Sequence, residues 1–382
     1  MLDPRVTSLA ELLAGHSLSL GPKDNVLIEA FDIEPDAVAE VVRVAQAAGA
    51  GVFVQTYLAP VARALQMGMT EQNAKLYGEI DGARMDKMTA YIGLRGTHNF
   101  AEMSDIPAET TKIWSKNYMT PVHFQRRVPN TKWVVLRWPS AGMAQQAQMS
   151  TRAFEDFYFR VCTLDYKKME EACLPLRDLM AKTDRVHITG PGTDLRFSIA
   201  GIGAIPCVGK RNVPDGECFT APVKDSIEGV LQYNTSTMKD GKVFKDPRLT
   251  LKAGKIIDVD AGEGTEAFNA ILDTDEGARY VGEWSLGFNP FILTPMLDTL
   301  FDEKISGSFH FTPGNAYDEA DNGNRSSVHW DMVCIQRPEF GGGEIRFDDI
   351  LIRKDGLFVL PELEGLNPDS LASPAPAPEQ GR

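Results

Sequence analysis

Apolar and polar positions alternate along the first half of the chain in two rhythms. NVLIEAF from residue 25 and GVFVQTYL from residue 51 are strand-length apolar runs, and between them PDAVAEVVRVAQAAGA, from residue 35, repeats its apolar positions with a helical period. That order predicts a β-α-β unit, with Gly49 and Gly51 stopping the helix before the second strand. WVVLRWP from residue 133 predicts another strand. MSTRAFEDFYF predicts a helix whose N-cap is Ser150, and KKMEEACLPLRDLMAK a longer one, before RVHITG from residue 185 closes the pattern. Residues 1–183 therefore read as an open, doubly wound α/β domain.

After about residue 185 the rhythm shortens. GPGTDLRFSI, SIEGVLQYN, KVFKDPRLTLKAGKIIDVD, ISGSFHF, SVHWDMVCI and EIRFDDILIRKDGLFVL are short strand candidates separated by Gly, Asp and Pro turns, with EGTEAFNAILDTDEGARYV as the main helical candidate. Residues 184–365 thus predict a strand-rich, partly barrel-like domain, and the fold class is α/β plus α+β. The Pro- and Ala-rich tail, 366–382, has no apolar periodicity and predicts disorder.

Composition narrows the function. The chain has 382 residues, 43% hydrophobic and 24% charged, as expected of a globular protein with two cores. Its net charge of −14 opposes a sequence-independent grip on nucleic acid or on an anionic membrane. The N-terminal stretch MLDPRVTSLAELLAG lacks the basic and apolar regions of a signal peptide, and no apolar run reaches membrane-spanning length, so a cytoplasmic protein is expected. The five cysteines are scattered without a CxxC, which disfavours a disulfide framework or a thiolate metal site. Neither GxGxxG after the first strand nor a P-loop, GxSxG or HExxH motif is present, so the α/β half carries no nucleotide signature.

Polar residues of chemical interest gather in the strand-rich half. In SVHWDMV, His329 and Asp331 leave one side of an extended chain while Val328, Trp330 and Met332 leave the other. NVPDGE ends in Glu217, YVGEWSLGFN carries Glu283, and SGSFHFTPGNAY carries His310 and Tyr317. Carboxylate, imidazole and phenolate donors suit Zn, Co, Mn or Fe rather than a soft metal. His16, His98, His123 and His187 stay outside this set, His187 as a structural residue and His123 as a solvated group near Arg126 and Arg127.

The wording around these residues resembles the thermophilic metalloaminopeptidase family, that of aminopeptidase T and aminopeptidase S. The phrases that carry the resemblance are NVPDGECFTAP, SIEGVLQYN, DEGARYVGEWSLGFN, DEKISGSFHF and NGNRSSVHWDMV, with WPSAGMAQQAQMSTRAFEDFYF and GPGTDLRF in addition, so it runs from about residue 8 to 360. The resemblance implies two divalent ions, Zn, Co or Mn, held by Glu217, Glu283, His310, Tyr317, His329 and Asp331. It implies peptide substrates with a free N-terminus and a homodimer, and for such a site Glu283 and Tyr317 are the expected catalytic residues. Two departures stand out: HFTPG puts Pro313 just past a ligand where the family reads His-Ile-Ala-Leu-Gly, and the DEADNGNRSS loop is short and acidic.

Two other readings remain open on the sequence. His310, His329 and Asp331 alone compose a 2-His-1-carboxylate set, as in mononuclear non-haem iron dioxygenases that cleave dihydroxypyridines. A catalytically silent metal- or peptide-binding relative is the other.

Overall fold

The computed structural model describes residues 3–372. The chain divides into two compact units, one of residues 1–163 and 209–213 and the other of residues 164–208 and 214–382, so the division falls some twenty positions before the change of rhythm.

The first unit is built on a parallel sheet in the order Gly51–Tyr57, Asn25–Phe31, Ala90–Arg95, Lys132–Arg137 and Asn212–Val213. The chain steps to one side of its first strand and then returns to build on the other, which is the doubly wound arrangement. The predicted helix appears as Pro35–Ala47, and Gly49 turns the chain at φ 91°. Ser150 caps Thr151–Cys162 by accepting from the Ala153 N–H at 3.2 Å. His123 corrects the sequence reading. It is 5% exposed and packs edge-on against Tyr91 and Tyr118, because the π-helical stretch Ser115–Arg127 turns it onto the sheet.

The second unit is antiparallel. Its larger sheet has eight strands, in the order Lys255–Asp260, Arg248–Lys252, Glu228–Gln232, Thr193–Ser198, Arg185–Gly190, Glu344–Phe347, Ile350–Lys354 and Leu357–Phe358. Arg185–Gly190 is therefore the first strand of this unit, pairing with Thr193–Ser198, rather than closing the first pattern. The smaller sheet runs Val333–Ile335, Ser308–Pro313, Val281–Gly287, Glu217–Thr220 and Ile205–Cys207. Among the described residues both strand orders run from edge to edge, so the pairing does not show the expected barrel character.

The two sheets meet through Trp284, fully buried against Phe197 and Phe347 of the larger sheet, while Phe311 also touches Phe197. Since side chains alternate along a strand, committing Trp284 and Leu286 to this core turns Glu283 and Ser285 to the opposite face. The same parity sends Phe309 and Phe311 one way and His310 and Thr312 the other.

The tail also departs from expectation. Pro368–Ala372 is helical and buries Leu371, which gives the segment a reason to order; the rest of the tail, 373–382, lies outside the described residues.

Candidate metal centre

Three neighbouring strands of the smaller sheet bring Glu217, Glu283 and His310 onto one face. Ser285 is paired with His310 on one side and Phe219 on the other, so Glu217 and Glu283 lie within one or two positions of the histidine. Strand burial is complete here: Glu217 is 4% exposed, Glu283 4% and His310 0%.

His329 and Asp331 arrive differently from the sequence reading. SVHWDMV is an extended segment rather than a regular strand: the Asn315 N–H donates to the Val328 carbonyl, the Trp330 N–H to the Pro313 carbonyl and the Phe311 N–H to the Met332 carbonyl around a bridge between Gly314 and His329, and regular strand pairing begins at Val333. The cause is the turn at Gly314, whose φ of 110° and bare Cα let Val328 pass so closely that a Cβ would lie 2.0 Å from its carbonyl oxygen. The alternation still holds. Val328, Trp330 and Met332 are buried, and the Trp330 indole donates to Thr237 Oγ1 at 2.9 Å, while His329 and Asp331 turn to the cluster.

The six sequence candidates converge. His310 Nε2 lies 3.0 Å from Glu283 Oε1 and its Nδ1 3.4 Å from Glu217 Oε2. His329 Nε2 lies 3.5 Å from Glu283 Oε2 and 3.2 Å from Asp331 Oδ1. Glu283 thus turns one oxygen to each histidine. Tyr317 stands at the rim, 46% exposed, with its ring centroid 4.7 Å from that of His329.

Neighbours orient the donors. Thr312 donates to Asp331 Oδ1 at 2.8 Å and Ser285 to Glu217 Oε2 at 3.0 Å, and the His329 Nδ1–H points to the Asn315 carbonyl at 2.9 Å, which leaves Nε2 for the cluster. Lys304, 1% exposed, donates to Glu217 Oε1 and Glu303 Oε1 and lies 3.6 Å from Asp215 Oδ1. Sequence reasoning missed Glu303, Lys304 and Asp215. Asp215 stands two positions before Glu217, the spacing that singled out His329 and Asp331, and would have been found by applying that rule again.

The charges are crowded. Burial opposes protonation of His310, yet Glu217 and Glu283 beside it win and push it up to about 10. Burial works the same way on His329, and Asp331 and Glu283 overcome it, again to about 10. Burial raises Glu283 against the pull of His310, and it pushes Glu303 up to about 8 against that of Lys304. Asp331 is held low, its burial overridden by His329. Protons are thus drawn in to balance carboxylates that the protein's own cations leave in excess.

A divalent ion fits these donors. Glu283 Oε2 and His310 Nδ1 are buried without a hydrogen-bond partner, an arrangement that is costly unless something else occupies the lone pairs. Ligand atoms fall into groups that can each hold one ion, among them Glu217, Glu283 and His310, and Glu283, His329 and Asp331. Among the described residues no such group joins His310, His329 and Asp331.

The pattern of a family described as thermophilic metalloprotease (M29) matches residues 2–358. Aminopeptidase T from Thermus aquaticus is 33% identical over 191 residues, which cover 44% of this chain and 45% of that protein, so the chain spans under half the length of this relative. Wild-type AmpT from Thermus thermophilus has a similar fold, with a TM-score of 0.77 at 23% identity over 94% of this chain and 99% of the other. The 2,5-dihydroxypyridine dioxygenase from Pseudomonas putida shares the fold less closely, with a TM-score of 0.62 at 15% identity over 95% and 99%.

Proposed function

The chain belongs to the thermophilic metalloprotease family, and on that premise we propose that it is a metal-dependent aminopeptidase that removes the first residue of peptides with a free N-terminus. The observation that carries the reading is the pair of three-donor groups sharing Glu283. Glu217, Glu283 and His310 would hold one divalent ion, and Glu283, His329 and Asp331 a second, with Zn, Co or Mn suiting the oxygen and nitrogen donors. Bound there, such ions polarise a scissile carbonyl and acidify a water.

The chain's own residues do the rest. Lys304 and Ser285 hold Glu217 and Thr312 holds Asp331, so the donors are set before substrate arrives. Glu283 is the candidate for receiving the water's proton, and Tyr317, at the rim, for donating to the oxygen that gains charge. Glu303, a carboxylate outside the two ion-holding groups, is placed to meet the substrate's α-ammonium, which restricts attack to the first peptide bond.

The dioxygenase alternative would place His310, His329 and Asp331 on one ion without either glutamate, and the family whose pattern the chain matches favours the metalloprotease reading over it. A homodimer is part of the same proposal, and Leu58, Val61, Leu65, Leu76 and Ile80 are exposed apolar residues of the first unit that a second copy would cover. A cytoplasmic location is part of the same proposal; no helix among the described residues is long and apolar enough to cross a membrane.

Stripped protein reconstituted with Zn, Co, Mn or Fe(II) tests the reading. Aminoacyl anilides are expected to be hydrolysed and their N-acetylated forms to resist. Oxygen uptake with a dihydroxypyridine, and no anilide hydrolysis with any metal, would overturn it.

A further inference from the structure

We infer that the cleft beside Glu303 and Asp331 receives the side chain of the substrate's first residue and selects a small, uncharged one, alanine or serine. The inference rests on the aminopeptidase reading and adds its substrate class. The cleft shares Glu303 and Asp331 with the charged cluster, so a peptide held there by its amine and first carbonyl projects its Cα substituent into this space. The recess has about 340 Å³ of empty volume, open solvent included, but the space it leaves to a water-sized group is only about 20 Å³, room for a methyl or hydroxymethyl.

The walls explain the size. Met238, 42% exposed, comes from the Thr237–Lys239 strand, and Leu297 from the loop before Thr299–Asp302. Leu297 has a φ of 59°, a left-handed conformation that a bulky residue adopts only when its surroundings impose it. Asp302 imposes it: 7% exposed, it accepts the Met296 N–H at 2.8 Å and also receives the Leu297 N–H. Strain of this kind collects where a side chain must be presented in one place, here at the cleft. Ser236, also lining it, makes no side-chain hydrogen bond among the described residues and is available to a substrate hydroxyl.

The test compares kcat/KM for Ala, Ser, Leu, Phe and Arg anilides on metal-loaded wild type, Leu297→Gly and Met238→Ala. Glycine accepts a left-handed φ, so Leu297→Gly removes the wall without opposing the turn. Wild type is expected to favour Ala and Ser over Leu, Phe and Arg by at least about tenfold, and either variant to reduce the Ala-to-Phe ratio by about tenfold or more. Circular dichroism checks folding, and Met238→Ala carries the test if Leu297→Gly does not fold. Hydrolysis in which wild type prefers Leu, Phe or Arg, or in which folded variants leave the ratio unmoved, overturns the inference and spares the aminopeptidase reading. Hydrolysis of no anilide with any metal overturns both.

Discussion

Glu29 in the first unit and Glu283 in the second are both glutamates on interior strands, 2% and 4% exposed. Glu29 is fully occupied: its Oε1 accepts from the Tyr57 hydroxyl at 3.0 Å and its Oε2 from the Tyr91 hydroxyl at 2.6 Å, with Arg95 3.9 Å away. Glu283 meets His310 through one oxygen and leaves the other without a hydrogen bond, in a cluster already crowded with Glu217, Glu303 and Asp331. A buried carboxylate whose acceptors are filled by neutral hydroxyls stabilises the fold it sits in. One left open among like charges does not, and a cation bound there would complete it.

The largest effect should come from breaking the open site. Glu283→Gln is expected to lower kcat/KM on an alanyl anilide by roughly a thousandfold or more while the protein stays folded, since the change removes both the shared ligand and the candidate base. Retained activity in that variant would erase the contrast with Glu29.

Acidification probes the closed region next. Burial between Tyr91 and Tyr118 drives His123 down to about 4, Glu29 working against the shift. Its folded value lies below its unfolded one, near 6.5, so between pH 6.5 and 4 the unfolded chain binds more protons and stability falls as pH falls. The loss is expected to reach about 3 kcal/mol over that window. Denaturant titrations should show the pH slope in wild type and a shallower one in His123→Gln.

A smaller effect sharpens the open side. Thr312→Val deletes the 2.8 Å hydrogen bond that orients Asp331 and should weaken metal binding about 10- to 100-fold in a chelator competition. Unchanged affinity would mean that Asp331 needs no such support.

The smallest belongs to Glu29 itself. Glu29→Gln should cost about 1–2 kcal/mol of stability by disturbing the two tyrosine hydrogen bonds and leave metal content as it was. Loss of metal in this variant would refute the separation of roles.

Strand parity, a local rule, made His329 and Asp331 legible as a pair, and the phrases shared with the metalloaminopeptidase family added Glu217, Glu283, His310 and Tyr317 as candidates. Asp331 follows His329 by two positions, and Val328, Trp330 and Met332 tell which face is core. The parallel sheet was legible for the same reason, from runs such as NVLIEAF. What stayed hidden depends on contacts between distant segments. Lys304 meets Glu217 across 87 positions, and nothing in DEKISGSFHF says that the lysine folds inward. His123 carries the polar signature of a surface residue, and only the turns of Ser115–Arg127 decide that it is buried. SVHWDMV alternates like a strand, yet Gly314 sets how the neighbouring chain passes it, so its side-chain parity survived while its pairing became irregular.

Elemental analysis of the purified, metal-replete protein tests the central claim most directly. The sharing of Glu283 between two donor groups predicts two divalent ions per chain; a single ion per chain, or none, would contradict it.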